Sequence, residues 1–190
     1  GVNHWNANLG ISAVNDVQFL TELALHLQTA FDLNTECTYS CGFSNGGNMS
    51  YTLACASPDV FKAIGSVGGT MSGADWETCE VQAVPVVHIH GTNDNDVYYT
   101  STLGSNNPWE GAPGVEAVVA HWANVNGCSE VTTTSLPDVN PSDGSTVDLI
   151  AHSGSPTGYQ AQVYRVNEGG HDWFGAWGNM DIQSLSLIHI

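Results

Sequence analysis

The sequence predicts an α/β fold built on a mostly parallel sheet with helices on both faces. Continuous apolar runs at 63–69 and 84–91 fit strands that are buried on both sides, as in parallel sheets. Segments with helical periodicity at 12–31 and 115–125 alternate with such runs. A serine between two glycines at 42–46 marks a passage from strand to helix. Right-handed crossovers between parallel strands would place helices on both faces of the sheet.

The first regular element is expected to be an amphipathic helix from Ser12 to about Phe31. Its apolar positions recur every three or four residues, which places them on one helix face. We expect this face to pack on the core. The positions are Val14, Val17, Leu20, Ala24, Leu27 and Phe31.

The second element joins a short strand at 38–41 to a helix at 48–56. Between them, Gly42 and Gly46 flank Ser44 in a G-x-S-x-G pattern, which is typical of a nucleophilic serine on a sharp turn. Such a turn is expected to leave no room for a β-carbon at either glycine. The first N–H groups of the helix would face a developing oxyanion. An ordinary glycine-rich turn shows the same short pattern, so the rest of the sequence has to distinguish the two interpretations.

The second half of the chain continues the alternation of strands and helices. We expect one domain over residues 1–183, whereas residues 184–190 fit poorly with what precedes them and are expected to be a non-native tail. The remaining predicted elements are a loop at 92–113, a helix at 115–125, a polar, turn-rich stretch at 129–146, and strands at about 146–151 and 161–166.

The charge balance excludes several classes of partner. Lys62 and Arg165 are the only strong bases against 19 acids, for a net charge of −17. This charge repels phosphate backbones, so we expect no nucleic-acid partner. The sequence has no run of eighteen apolar residues, so we expect no membrane span. Salt screens the repulsion among so many acidic side chains. This excess of acids therefore favours a protein that works in salty, extracellular water.

Five cysteines, at positions 37, 41, 55, 79 and 128, do not have the spacing of a zinc site. One or two disulfides in an exported protein are the better interpretation, and Cys55–Cys79 is the first expected pair. The odd number leaves at least one thiol unpaired. We expect neither a metal ion nor a cofactor.

A nucleophilic serine needs a base and an acid that orients the base. Asp94 follows the strand that ends at Gly91, and His171 follows the last predicted strand. Both positions lie at the carboxyl edge of the predicted sheet, where ligands bind in open α/β folds. The sequence therefore predicts Ser44, Asp94 and His171 as a catalytic set, with Asp96 as an alternative acid.

Other histidines are weaker candidates. His88 and His90 point to the same face of a strand, as pairs of metal ligands sometimes do, but no third ligand cluster accompanies them. We interpret them as packed strand histidines. His121 falls on a helix and His152 at a strand end, and neither follows glycines in a loop.

Four segments together carry a more specific signal: GFSNGGNMSY at 42–51, LAC at 53–55, HIHGTND at 88–94 and GGHDW at 169–173. This set resembles the polyhydroxybutyrate depolymerase and feruloyl esterase family, which comprises secreted serine esterases with the α/β-hydrolase fold. The resemblance runs from about residue 5 to 181. It implies that Ser44 is the nucleophile, Asp94 the orienting acid and His171 the general base.

The chain also departs from this family pattern. Family members have N-terminal strands and a His-Gly oxyanion loop, and nothing in this sequence matches them. The resemblance therefore implies an α/β-hydrolase fragment, truncated at both ends, in which the backbone N–H of Asn45 is the remaining oxyanion donor. The family often has a cysteine near position 155 as partner to one like Cys128. Ser155 stands there, which leaves Cys128 unpaired.

The function implied is hydrolysis of a carboxylic ester through an acyl-serine intermediate. The expected substrate is a polyhydroxyalkanoate polyester or a feruloyl or acetyl ester of a polysaccharide, with Trp5, Trp109 and Trp173 as weaker candidates for substrate contact. Two alternatives stay open. One is a catalytically impaired hydrolase-like domain that binds carbohydrate or a surface partner, and the other is a serine peptidase of the same fold.

Overall fold

A computed structural model describes residues 3–80, 82–104 and 111–175 of the chain. They form one six-stranded sheet with the strand order β1-β2-β3-β6-β5-β4. The predicted tail at 184–190 lies outside the described residues. The strands are β1 (Tyr39–Phe43), β2 (Ala63–Val67), β3 (Val86–Gly91), β4 (Glu130–Ser135), β5 (Thr146–Ser153) and β6 (Ala161–Asn167), and the helices are α1 (Asp16–Ala30), α2 (Asn45–Ala56), α3 (Gly73–Thr78) and α4 (Val115–Val125).

The sheet is mostly parallel, as predicted. Strands β1, β2, β3 and β6 are parallel neighbours, whereas β5 and β4 join antiparallel beyond β6. The main core lies where α2 and α4 pack on the sheet, and it contains Tyr51, Val86, Trp122 and Val163. The parallel pairing of β3 with β6 places their carboxyl ends side by side. This neighbourhood positions the loops discussed below.

Helix α1 is shorter and less covered than the periodicity predicts. It begins after the N-cap Asn15, whose side chain accepts from the Gln18 N–H. The middle of its apolar face packs on a second core cluster that includes Met49, Leu53 and Phe61. The prediction that the whole face is buried is wrong for Val14, Leu27 and Phe31, which are exposed. The second cluster contacts the face only at Val17, Leu20 and Ala24, and Val14 and Phe31 lie just outside the helix.

Strand β1 forms one edge of the sheet, and its first residue, Tyr39, is exposed. Beside it lies an open groove of about 1020 Å³ between α1 and β1. Leu23, Leu27 and Leu33 contribute apolar surface to this groove.

Three short elements were not predicted: α3, β4 and a single 3-10 turn at Thr35–Cys37. Helix α3 has only six residues, which is too short to show a helical period. Strand β4 is exposed at every position, so its sequence EVTTTS lacks the alternation of a half-buried strand. The stretch at 129–146, predicted as polar and turn-rich, thus contains the antiparallel edge strand. No helix in the described ranges is long and apolar enough to cross a membrane.

The expected disulfide between Cys55 and Cys79 is confirmed, and it ties the end of α2 to the end of α3. Cys37, Cys41 and Cys128 are free thiols. The Cys128 thiol donates to the carbonyls of His152 and Tyr159, at 3.6 and 3.4 Å. Ser155 Oγ donates to the same Tyr159 carbonyl at 2.6 Å. Cys128 and Ser155 thus share one acceptor, the Tyr159 carbonyl, and these hydrogen bonds stand where a serine allows no disulfide to Cys128.

Candidate active site

Ser44 lies at the turn between β1 and α2 with φ 54° and ψ −119°. A positive φ is uncommon for a residue with a β-carbon, and such strain is found most often at functional sites. The Ser44 N–H donates to the Val67 carbonyl at 2.8 Å, and the Ser44 carbonyl accepts from the Asn48 N–H at 3.0 Å. These bonds connect the turn to β2 and to the first turn of α2. The helix begins at Asn45, three residues earlier than the apolar pattern indicates.

The two glycines that flank Ser44 have different roles. A β-carbon on Gly42 would overlap the backbone of Gly46, so Gly42 allows strand and helix to approach closely. A β-carbon on Gly46 would meet nothing within 4 Å. The expectation that both glycines are sterically required is therefore wrong for Gly46. The second tight position is Gly47, where a β-carbon would lie 2.5 Å from Ser66 Oγ.

This difference predicts opposite outcomes for two matched substitutions. Gly42→Ala is expected to destabilise the fold by about 1–3 kcal/mol, because backbone atoms have to move to admit the methyl group. Gly46→Ala is expected to be neutral or slightly stabilising, because alanine favours the helix. Thermal unfolding of both variants measures the contrast. Equal melting temperatures for the two would contradict the close approach of Gly42 to Gly46.

Ser44, His171 and Asp94 form one hydrogen-bonded line. His171 Nε2 lies 2.9 Å from Ser44 Oγ, and His171 Nδ1 lies 2.7 Å from Asp94 Oδ2. The Asp94 side chain is fully buried, and that of His171 is 14% exposed. The geometry allows the Ser44 hydroxyl to donate to Nε2 while Nδ1–H donates to the carboxylate. These are the contacts that activation of a serine by a base requires.

The two loops meet because a glycine ends β3 and two glycines lie just after β6. A β-carbon on Gly91, the last residue of β3, would overlap the backbone of Gly169 and Gly170, which follow β6. The Asn93 N–H donates to the Gly169 carbonyl at 2.9 Å. Backbone contact of this kind holds the loop that carries Asp94 against the loop that carries His171.

Asp94, and not Asp96, is the carboxylate bonded to His171. The Oδ1 atom of Asp94 accepts from the backbone N–H groups of Asp96 and Val97, at 2.9 and 2.7 Å. Burial of the carboxylate acts to raise its pKa, but hydrogen bonds from two histidines and from the Val97 N–H outweigh burial. The pKa of Asp94 therefore lies well below its usual value, and the group is ionised at neutral pH.

The pKa of His171 is raised above its usual value of 6.5. Burial of the ring disfavours the imidazolium, but the hydrogen bond and charge of Asp94 outweigh burial. The charges of Asp96 and Asp172 act in the same direction. His171 is thus a stronger base than a free histidine.

Asn45, the predicted oxyanion donor, is the first residue of α2, where N–H groups have no acceptor within the helix. Its side chain binds the backbone of Trp5 twice, with Oδ1 2.6 Å from the Trp5 nitrogen and Nδ2 3.0 Å from the Trp5 oxygen. The N-terminal segment is thereby fastened beside Ser44.

Two of the three predicted tryptophans, Trp5 and Trp173, lie among the described residues. Trp5 lines the groove between α1 and β1. Trp173 is 42% exposed and packs edge-on against Phe43, whose ring lies 4.7 Å from that of His171. Trp109 lies outside the described residues.

A cavity of about 140 Å³ opens on Ser44. Among the described residues, its walls combine apolar side chains with hydroxyl and amide groups and one carboxylate, that of Asp96, and they include no lysine or arginine. The lining residues include Leu9, Asn48, Thr70, Met71, Val97 and Tyr98. This cavity offers space for a small group next to Ser44.

His88 and His90 are buried as predicted, but they do more than pack. Together with Tyr51 they form a hydrogen-bonded row that ends at the loop carrying Asp94. The sequence signal for it is a His-x-His pattern on a strand that ends just before Asp94. Within the described ranges, no group of three or more His, Cys, Asp or Glu side chains is placed to hold a metal ion.

Known proteins related to the chain are esterases. Feruloyl esterase B of Piromyces equi is 25% identical over 174 residues, which cover 88% of this chain and 31% of that protein. A probable feruloyl esterase C of Aspergillus clavatus is 30% identical over 103 residues, covering 54% of this chain and 37% of that protein. The chain thus spans about a third of the length of these two relatives. No protein-family model matches it.

An acetyl xylan esterase from Aspergillus awamori superimposes with a TM-score of 0.53, at 13% identity, over 82% of this chain and 62% of that one. This likeness shows the fold, which is that of the α/β hydrolases. The sequence relatives agree with the family resemblance that the four motifs indicate.

Proposed function

We propose that this α/β-hydrolase chain, a sequence relative of feruloyl esterases, hydrolyses carboxylic esters with Ser44, His171 and Asp94 as its catalytic residues. The observation that carries the proposal is the continuous line of hydrogen bonds from Asp94 through His171 to a strained serine. Its residues come from three separate loops at one edge of the sheet. Packing alone does not require this alignment.

The geometry supports a two-step acyl transfer. Ser44 Oγ attacks the ester carbonyl carbon while His171 Nε2 takes the hydroxyl proton. The tetrahedral oxyanion accepts a hydrogen bond from the Asn45 N–H. The intermediate then expels the alcohol, which takes the proton from Nε2, and an acyl-serine remains. Water adds to the acyl-serine by the same base catalysis and releases the acid.

Asp94 keeps its negative charge throughout this cycle. Its low pKa ensures ionisation, and its bond to Nδ1–H holds His171 with Nε2 free to accept a proton. When His171 becomes an imidazolium, Asp94 stabilises the new charge at 2.7 Å. No step requires a metal ion or a cofactor.

The proposed substrate is a feruloyl or acetyl ester of a polysaccharide, or a polyhydroxyalkanoate polyester. Two features support an acyl group without negative charge: the described lining of the 140 Å³ cavity at Ser44 contains the acid Asp96 and no basic side chain, and the relatives are feruloyl esterases. We also propose that the protein acts outside the cell. The Cys55–Cys79 disulfide and the net charge of −17 support this location.

The pH profile should follow His171. Because its pKa is raised above 6.5, the neutral base forms only as the pH rises through that higher value, and kcat/KM should rise with it. Asp96→Asn removes a charge that raises this pKa, so the rising limb should move to lower pH. Initial rates of the wild type and of Asp96→Asn, measured across the pH range at constant ionic strength, test this shift of the rising limb. A limb that moves to higher pH would contradict the assignment.

The proposal is tested by turnover of a panel of esters. p-Nitrophenyl esters of increasing acyl length, methyl ferulate, acetylated xylan and polyhydroxybutyrate films separate the substrate classes. Turnover of at least one ester is expected. A folded full chain that turns over none, yet binds a polysaccharide, would instead indicate the catalytically impaired binding domain.

A further inference from the structure

The mechanism above leaves a buried polar row, Tyr51, His88 and His90, without a role. Tyr51 Oη lies 2.7 Å from His88 Nδ1, and His88 Nε2 lies 2.9 Å from His90 Nδ1. His90 Nε2 lies 2.8 Å from the Val97 carbonyl oxygen and 3.1 Å from Asp94 Oδ2. All three side chains of the row are fully buried.

The outer end of the row determines where the hydrogens lie. A carbonyl and a carboxylate oxygen can only accept, so His90 Nε2 carries a hydrogen shared between them. In a neutral imidazole the other nitrogen then accepts, so His88 Nε2 donates to His90 Nδ1. By the same reasoning, His88 Nδ1 accepts from the Tyr51 hydroxyl.

The inner end gives the same direction independently. Among the described residues, His88 Nδ1 is the hydrogen-bond partner of the buried Tyr51 hydroxyl. If the direction reversed, the hydroxyl hydrogen would have no acceptor there, at a cost that buried donors rarely bear. Burial and the neighbouring His90 lower the pKa of His88, and burial raises the pKa of Tyr51, so both groups are neutral.

The row ends on the turn that presents the acid. Val97 is bound from both sides, since its carbonyl accepts from His90 and its N–H donates to Asp94 Oδ1 at 2.7 Å. His90 therefore stabilises the turn through its hydrogen bond to Val97 and also contacts the Asp94 carboxylate directly. Tyr51 lies on α2, the helix that begins beside Ser44. The row thus connects the helix behind the serine to the loop of the acid.

We propose that Tyr51, His88 and His90 are positioning residues that hold Asp94 in line with His171. The proposal rests on the proposed function, in which Asp94 orients the base. Tyr51 acts through both histidines: its hydroxyl donates to His88 and so directs an N–H of His90 toward the turn. Apolar side chains would fill the same space without fixing this direction.

Tyr51→Phe removes one oxygen at the far end of the row. We expect kcat to fall about fivefold to tenfold, with KM within about twofold of wild type, since one hydrogen bond is lost far from the substrate. Tyr99→Phe is the matched control, because the Tyr99 ring lies 5.9 Å from that of His90 but its hydroxyl donates to Glu116, outside the row. Its kcat should stay within about twofold of wild type.

A double-mutant cycle separates positioning from packing. His90→Leu removes the N–H, and His90→Gln restores a donor near the position of Nε2, so Gln should recover part of the loss in kcat. Once His90 is replaced by Leu, Tyr51→Phe should change kcat by less than about twofold, because its path to Asp94 is already broken. Full additivity of the two losses would overturn the proposal.

Nitrogen-15 NMR of the histidine rings in the wild-type protein shows which ring nitrogen carries the hydrogen, and it needs no substrate. We expect His88 and His90 both as neutral tautomers with the hydrogen on Nε2. A hydrogen on Nδ1 of either ring would overturn the proposal. With ester turnover present, a wild-type kcat in Tyr51→Phe refutes the positioning role alone. A full chain that neither turns over an ester nor reacts with a fluorophosphonate refutes the proposed function instead.

Discussion

Replacing Ser44 by Ala should lower kcat for ester hydrolysis by about 10⁶-fold, to the residual turnover that substrate binding and the oxyanion donor support. The variant removes Oγ, the atom 2.9 Å from His171 Nε2, and leaves the backbone bonds of the turn in place. We therefore expect an unchanged melting temperature. Release of p-nitrophenol, with enzyme in excess for the slow variant, measures the loss.

Ser135→Ala provides the matched control for Ser44→Ala. Ser135 lies on the exposed edge strand β4, where its hydroxyl donates to Asp148. Its removal should leave kcat unchanged. Substantial turnover by a folded Ser44→Ala variant would show that another group attacks the ester.

Replacing Asp94 by Asn is expected to lower kcat by about 10⁴-fold, the size of effect seen when an acid of this kind becomes an amide. The amide removes the negative charge that holds Nδ1–H of His171. The amide also introduces a donor facing Nδ1, which favours the His171 tautomer with its hydrogen on Nε2. In that tautomer, Nε2 cannot accept the proton of Ser44. Steady-state kinetics at a pH above the rising limb measure this loss without the effect of protonation.

Asp96→Asn is the informative comparison, since the sequence left Asp96 open as the acid. In the structure its backbone N–H donates to Asp94, and its carboxylate affects His171 only through its charge. Its kcat should stay within about tenfold of wild type. A larger loss for Asp96→Asn than for Asp94→Asn would reverse the assignment.

Much of the candidate site can be predicted from the sequence because strand ends are visible in it. Gly91 closes a continuous apolar run, and a glycine pair precedes His171. Parallel pairing of β3 with β6 then brings the following loops together. The family resemblance favours Asp94, but position along the chain does not exclude Asp96. The structural difference between them is an Asx turn, in which Asp94 accepts from the backbone N–H groups of Asp96 and Val97.

Other features could not be predicted for different physical reasons. Strand β4 is exposed on both sides, so no hydrophobic pattern marks it. Phe31 fits the period of α1 but lies at its C-cap and is 68% exposed, since periodicity shows a face but not what covers it. The polar row depends on side-chain distances across α2 and β3. Tyr51 and His88 are separated by 37 positions in the sequence. Neither the helical period around Tyr51 nor the His-x-His pattern indicates that the two side chains are partners.

Gly46 shows the difference between a motif and its physical cause. The G-x-S-x-G pattern treats its two glycines alike, but only Gly42 lies against another backbone. Gly47, outside the pattern, is the more constrained of the two helix glycines because Ser66 and Gly69 pack against it.

Labelling of the full chain with a fluorophosphonate, followed by peptide mass spectrometry, tests the central claim most directly. The claim is that His171 and Asp94 activate Ser44 as the nucleophile of an ester hydrolase. The predicted result is a single adduct on Ser44 that disappears in Ser44→Ala and forms far more slowly in Asp94→Asn. An absence of adduct on the folded wild-type chain, or an adduct on a different serine, would contradict it.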